Sequence, residues 1–383
     1  MKLLHTSDWH LGRMIFGRSL LPDQEAFLKD VFLPAAKSEH PDCILLAGDI
    51  FDRQIAPVEA IRLFDYVIAE IHKLKIPLAV IAGNHDGADR IAIGAPLLRQ
   101  SGIFIAARLE DAFLPLTVQA GDETADIYLL PYCEPAMVRQ FLHNDDIHGF
   151  QDAYAAILDE IKKTFRPNVL HILVSHCFVA GGKISDSESP VYVGGSGEVN
   201  PAVFDGFDYV ALGHLHAPQR AGEHGRYSGS PLKYSFDEEH QRKSLTMLEI
   251  GMQDFQIREL PVKPLHDMRT ISGTMMELLT REPQETDKDY LFIRVTDKNP
   301  VYMPAEQLRT RYPNLLSVSC DWLNPAEAAG GDSVLREQLL HRKIDEITVF
   351  EQFMKQICGA EMDENDRALF LQALNEVKTS ELE

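Results

Sequence analysis

The 383-residue chain has few cysteines, no long apolar run and no surplus of positive charge. Its five cysteines, Cys43, Cys133, Cys177, Cys320 and Cys358, are odd in number and scattered, with no C-x-x-C pair. That excludes a disulfide framework or a zinc ribbon and fits a reduced compartment. No apolar stretch approaches the roughly 18 residues of a membrane-spanning helix. The chain turns polar from His5 onward, where a secretory leader would stay apolar. A cytoplasmic protein with no membrane partner is therefore expected. Internal repeats and low-complexity segments are lacking too. With 37 basic residues against 58 acidic, the formal charge is −21, which argues against a generic polyanion binder. What the chain does have is length and a 45% hydrophobic content, enough for two or three domains with sizeable cores.

Short apolar runs alternate with longer helical patterns through the first 215 residues. Leu3–Thr6, Cys43–Ala47, Leu78–Ala82, Ile172–Val174 and Tyr209–Leu212 have strand length and are mostly apolar throughout, as strands buried on both faces are. Helical patterns cover Gln24–Ala36, Val58–Lys73, Ala92–Gln100 and Asp152–Phe165, with Pro57 at the opening of the second, where its missing N–H costs nothing. This alternation predicts an α/β layered domain, closed by strand-like sequence from Leu245 to Val262.

The expected domain spans 1–263. Residues 264–323 read as a small α+β module: a helix near Met275–Thr280, a strand at Tyr290–Thr296, a helix after Pro304 and a strand at Leu315–Cys320. Pro325 and Gly330-Gly331 mark 324–333 as a linker. Residues 334–383 are helical in pattern, with one apolar stripe through Ile347, Phe350, Phe353, Met354 and Ile357 and another through Leu369, Leu371, Leu374 and Val377. Gly359 ends the first helix, and Asp363 with Asp366 caps the second. A short helical pair beyond a glycine-rich linker has little core of its own and is expected to dock on a partner.

Each of the five apolar runs ends in residue types that ligate metals. They are Asp8-x-His10, Gly48-Asp49-x-x-Asp52, Gly83-Asn84-His85-Asp86, Ser175-His176 and Gly213-His214-x-His216. Singly these are weak signals, since a Gly-Asp pair is usually a turn. Five at five consecutive strand ends form a pattern, because ligands in open α/β sheets gather outside the carboxyl ends of strands. Imidazole, carboxylate and amide oxygen without thiolate suit Mn²⁺, Fe²⁺ or Zn²⁺. Seven candidate ligands are too many for one ion and suit two, about 3.5–4 Å apart, clamping a phosphate in in-line displacement. His5, His72, His171 and His240 read as structural or surface histidines.

These blocks resemble the calcineurin-like metallophosphoesterase superfamily, where D-x-H, G-D-x-x-D, G-N-H-D/E, a lone His and G-H-x-H occur in this order. Residues 5–12, 83–86, 183–188 and 228–235 narrow the resemblance to bacterial SbcD-type nucleases, over Met1 to about residue 260. The fold it implies is a layered β-sandwich flanked by helices, with the small α+β module as a cap and a C-terminal helical tail. It implies Asp8, His10 and His216 on a first metal, Asn84, His176 and His214 on a second, and Asp49 bridging both. His85 matches the non-ligand catalytic histidine; no role is carried onto Asp52.

The resemblance further implies two Mn²⁺ ions, 3′→5′ exonuclease activity on duplex ends, and endonuclease activity on single strands and hairpins, in DNA repair, recombination and replication. It also implies a homodimer, pairing through helices of the nuclease domain, within a heterotetramer containing the SbcC ATPase, whose coiled coil the tail would grip. A small-molecule metallophosphodiesterase and a metal-free scaffold are the competing expectations. The charge is compatible with DNA: residues 1–100 and 201–265 carry a net −2 each, so 17 of the 21 excess negative charges lie outside the segments richest in metal motifs. A chain of this balance should bind DNA weakly alone, with a partner supplying much of the phosphate-binding surface.

Overall fold

A computed structural model describes residues 1–188, 197–252 and 255–323, together with 347, 350, 351, 362–364, 366–371 and 374. In chain order its principal strands are Lys2–Thr6 (β1), Cys43–Ala47 (β2), Leu78–Ile81 (β3), Ile103–Ala106 (β4), Leu116–Ala120 (β5) and Glu123–Leu130 (β6). They continue with Leu170–His176 (β7), Tyr209–Gly213 (β8), Gln219–Ala221 (β9), Gly225–Tyr227 (β10), Ser244–Ile250 (β11) and Phe255–Pro261 (β12). One six-stranded sheet runs β12-β11-β1-β2-β3-β4, and a second runs β9-β10-β8-β7-β6-β5. Strands β1 to β4 are mutually parallel, as are β6, β7 and β8.

The two sheets are held face to face by one buried cluster. Cys43, Leu45 and Ala47 of β2 enter it with Ile172 and Val174 of β7 and Ile127 and Leu129 of β6. Side chains alternate across a strand, so Tyr128, Leu130 and Leu173 point the other way, into a core shared with helical residues Val138, Tyr154, Ile157, Leu158 and Ile161. Burying each of those large aliphatic side chains contributes about 1.5–3 kcal/mol. The result is the expected sandwich flanked by helices, and it explains why strands such as Cys43–Ala47 are apolar at every position.

The helices of this region are Leu21–Ala26 (α1), Leu33–Glu39 (α2), Val58–Leu74 (α3), Ala88–Ile91 (α4), Ala95–Gln100 (α5), Pro135–Leu142 (α6) and Phe150–Lys162 (α7). Two expectations are corrected. The single helix over Gln24–Ala36 is interrupted by a π-helical stretch, Phe27–Phe32. That wider turn lets both Phe27 and Phe32 meet the buried Trp9 edge-on, at 6.3 and 5.0 Å. The helix over Ala92–Gln100 is cut at Gly94, whose φ of +76° no helix accommodates.

The chain divides into two compact units, Met1–Thr270 with Glu285–Leu291, and Ile271–Gln284 with Phe292–Glu383. The second holds helices Met275–Thr280 (α8) and Pro304–Arg309 (α9) and the greater part of the three-stranded sheet Met268–Gly273 (β13), Tyr290–Val295 (β14) and Leu315–Cys320 (β15). Thr274 caps α8 through a reciprocal pair with Glu277. Farther on, Phe350 and Phe370 stack at 4.1 Å, and Asp363 and Asp366 exchange backbone-to-carboxylate hydrogen bonds of 2.8 and 3.2 Å. The capping expected of that pair is therefore seen. The linker expected at 324–333 lies outside the described residues, as does most of 334–383, including Phe353, Met354, Ile357, Gly359 and Val377. Among the described residues, no helix is long and apolar enough to cross a membrane.

Candidate metal centre

Five parallel strands, three from one sheet and two from the other, end at a common edge of the sandwich. The turn after β1 carries Asp8 and His10, that after β2 Asp49, and that after β3 Asn84 and His85, while β7 ends in His176 and β8 runs into His214 and His216. Backbone hydrogen bonds lace the first two turns together: Asp8 N to Gly48 O at 3.1 Å, and His10 N to Asp49 O at 2.9 Å. Asp86 braces the third by accepting from Gly83 N at 2.9 Å and Phe51 N at 2.9 Å. Gln24 grips the first turn, donating to His10 O at 2.7 Å and accepting from Gly12 N at 2.9 Å.

Three glycines make this convergence possible. A Cβ on Gly83 would lie 2.1 Å from Asp49 Oδ1, one on Gly213 1.9 Å from Ala47 O, and one on Gly48 2.5 Å from His176 Nδ1. The backbone is also strained at these same turns. Asp8, His10, Asp49 and His214 have φ of 53°, 44°, 51° and 106°. Non-glycine residues in that region cost about 1–3 kcal/mol each and tend to collect at functional sites.

All seven expected ligands lie together. Donor atoms of Asp8, His10 and His216 are within 4.8 Å of one another, as are those of Asp8, Asp49 and His176. His10 Nε2 is 3.2 Å from His216 Nε2 and 3.6 Å from Asp49 Oδ2, while His176 Nε2 is 3.4 Å from the same Asp49 oxygen. Asp49 thus lies between the two groups, where the resemblance puts a bridging ligand. Asn84 Oδ1 sits 3.0 Å from His176 Nε2 and 3.2 Å from His214 Nδ1.

The electrostatics ask for cations. Burial, augmented by Asp49, raises the Asp8 carboxyl to about 7. Burial would raise Asp49 as well, but His176 and His10 outweigh it and hold that group well below the usual range. Burial keeps His10 far below an ordinary imidazole and pushes His214 to about 3, with His176 adding to the effect. Neutral imidazoles offer lone pairs, which is the form a metal binds. His10 Nδ1 is buried without a hydrogen-bond partner. This donor set, rich in nitrogen and oxygen and lacking thiolate, fits two divalent ions of the Mn²⁺, Fe²⁺ or Zn²⁺ kind.

His85 stands at the rim. Its ring meets that of His10 edge-on at 4.8 Å, its backbone N–H donates to Asp49 Oδ1 at 2.9 Å, and ring Nδ1 lies 3.0 Å from Asp52 O. Asp52 therefore touches His85 through its backbone, while its carboxylate receives Arg13 Nη1 at 3.2 Å. The other histidines are accounted for elsewhere. His5 is buried between Tyr209 Oη and Leu212 O, both at 3.2 Å, His171 stacks on Phe165 at 3.8 Å, His72 bonds Ser101 O at 3.0 Å, and His240 is exposed. Sequence reasoning missed Gln24, Ser187, Glu238 and Lys243 at this site. Glu238 and Lys243 sit in the charged run 237–243, which has the composition of a solvated surface, yet both are buried.

Residues 1–218 match the family model described as calcineurin-like phosphoesterase. Residues 264–357 match the SbcD C-terminal model, described as type 5 capsule protein repressor C-terminal domain. Among solved structures, TT1561 of Thermus thermophilus is 14% identical, with 67% of this chain and 98% of that one covered and a TM-score of 0.40. The calcineurin-like phosphoesterase YfkN from Bacillus subtilis is 12% identical over 68% of this chain and 88% of that one, with a TM-score of 0.37.

Proposed function

The chain belongs to the calcineurin-like phosphoesterase family, and from that premise we propose that it is the nuclease subunit of an SbcCD-type complex. It hydrolyses DNA phosphodiester bonds as a 3′→5′ exonuclease on duplex ends and an endonuclease on single strands and hairpins, in repair, recombination and replication in the bacterial cytoplasm. The observation that carries the reading is the joining of seven clustered residues of metal-ligating type to a C-terminal segment that matches the SbcD C-terminal model.

Asp8, His10 and His216 would hold one Mn²⁺ and Asn84, His176 and His214 the other, with Asp49 shared. Two such ions supply Lewis acidity, making hydroxide available near neutral pH and offsetting charge on the phosphate oxygens. The chain's own residues do the rest. Attack on phosphorus breaks the P–O bond to a ribose oxygen, which leaves with a proton. With Nδ1–H donating to Asp52 O, His85 in its imidazolium form offers its Nε2 proton to that oxygen, as a general acid must, and is left as the neutral imidazole.

In this reading 1–263 is the nuclease domain, 264–323 a cap, 324–333 a linker, and 334–383 the helical region that grips the SbcC coiled coil. Ile55, Val58 and Ile61, with Ile93 and Leu97, expose large apolar side chains on and beside α3 and α5, the kind of face a second copy covers in a homodimer. Incubating the full chain with Mn²⁺ and a labelled duplex, a hairpin and bis(p-nitrophenyl) phosphate tests the reading. Cleavage of both DNAs, abolished by chelator, is expected. Efficient hydrolysis of the small diester with both DNAs intact would instead identify a small-molecule phosphodiesterase.

A further inference from the structure

The two candidate cation positions are backed by different surroundings. On one side His176 Nδ1 meets Ala47 O at 2.8 Å, a carbonyl at the end of a central sheet strand. On the other, His216 Nδ1 faces the hydroxyl of Ser187 at 2.6 Å. That hydroxyl donates to Glu238 Oε1, which also accepts from Ser235 Oγ at 3.0 Å, and Glu238 Oε2 pairs with Lys243 Nζ at 2.6 Å. Lys243 Nζ further meets His216 O at 2.8 Å, Ser230 Oγ at 2.9 Å and Gln241 Oε1 at 2.7 Å.

The support of His216 thus comes from a loop rather than from a strand. Glu188 Oε1 on the same loop accepts from His216 N at 2.5 Å. Arg13 ties the loop to the rim, donating to Ser187 O at 2.8 Å and to Asp52 Oδ1 at 3.2 Å. The other histidine on this side, His10, has no hydrogen bond at its buried Nδ1. Partners of this second row fix a ligating imidazole's tautomer and orientation, and losing one typically costs 10–100-fold in metal affinity. A carbonyl in a sheet holds its ring at no further entropic cost, whereas a loop hydroxyl must itself be held.

We propose that Ser187 and Glu238 are positioning residues that set the affinity of the Asp8/His10/His216 cation position, which is the weaker of the two and fills second. The proposal rests on the binuclear reading above. It goes beyond it by assigning the two positions unequal affinities and by naming the residues that control one of them.

The test uses the full chain with Mn²⁺ as the only added metal, followed by calorimetric titration and by low-temperature electron paramagnetic resonance. Wild type should take up two ions in two unequal events, with a mononuclear signal that gives way to a spin-coupled one. Ser187→Ala should weaken the second event by about 10–100-fold, leave the first unchanged and delay the coupled signal. Ser187→Thr, which keeps the hydroxyl, should restore both, and Glu238→Gln should act in the same direction as Ser187→Ala. Unchanged binding of both ions in Ser187→Ala overturns the proposal, as does equal weakening of both events with a lowered melting temperature. A wild-type chain that never takes up a second ion overturns the binuclear reading itself.

Discussion

Replacing Gly83 by alanine forces a methyl group into the space that holds Asp49. Its Cβ would stand 2.1 Å from Asp49 Oδ1 and 2.4 Å from Asp49 N, where ordinary contact begins at 3.4 Å. A flexible side chain could swing aside, but a backbone nitrogen cannot. The turn after β2 must therefore retreat by about 1 Å, carrying with it the carboxylate placed between the two metal groups. Misplacing a reacting constellation by about 1 Å can cost 10²-fold in rate, and overpacking costs about 1–3 kcal/mol of stability. At roughly 2–4 °C per kcal/mol for a domain of this size, the melting temperature should fall by about 2–12 °C. Gly149→Ala is the control. Nothing lies within 4 Å of the Cβ it adds, so it should lose at most about 1–2 kcal/mol at the start of α7 and keep its Mn²⁺ affinity. Calorimetric Mn²⁺ titration and a DNA cleavage assay on both variants decide the matter. A Gly83→Ala protein with wild-type metal affinity and rate would refute the argument that these glycines exist to let strand ends meet.

His85→Gln should keep near-normal metal content while the nuclease rate falls by about 10²–10⁴-fold, checked by metal analysis beside a single-turnover assay. Removing residues 340–383 should abolish SbcC binding in a pull-down yet spare Mn²⁺-dependent cleavage; retained complex formation would contradict the role given to the tail. Cys43 and Cys133, both pushed up to about 12 by burial, and Cys177, raised further, should resist iodoacetamide at pH 8 until the chain is denatured, as peptide mass spectrometry would report. Burial alone would raise Glu238, but His216 and Lys243 hold its carboxyl below the usual range. Its contribution should therefore be full above about pH 4.5, the ordinary glutamate range, and lost as pH falls toward its depressed value. The stability difference between wild type and Glu238→Gln, roughly 3–5 kcal/mol for breaking a buried pair and read from denaturation curves, should be flat near neutrality and narrow below about pH 4.5.

Glu238 and Lys243 form a charged pair even though burial pushes the lysine's pKa down. Lys243 Nζ has four acceptors within reach, which the three N–H donors of an ammonium serve better than the two of a neutral amine.

Cys43–Ala47 was legible to the residue, because a strand buried on both faces reads as an unbroken apolar run. The candidate ligand cluster was legible for a related reason: a parallel strand ends abruptly, and its next few residues are free to be polar. The hairpin Leu116–Leu130 carries Thr, Gln, Glu and Asp among its apolar residues, so its strands stand out less. The π turn at Phe27–Phe32 keeps a helical periodicity, and only the packing on Trp9 tells it apart. Ser187, Glu238 and Lys243 were hidden for a different reason. They lie in polar stretches, and Ser187 acquires its importance from partners 29 and 51 residues away in sequence, a distance no local pattern spans.

The most direct test of the binuclear centre is an anomalous difference map at the manganese absorption edge, from crystals of this chain soaked in Mn²⁺. Two peaks about 3.5–4 Å apart are predicted, one among Asp8, His10 and His216 and the other among Asn84, His176 and His214, with Asp49 between them. A single peak, or density instead among His10, Asp52 and His85, the third group of donors within reach of one another, would contradict it.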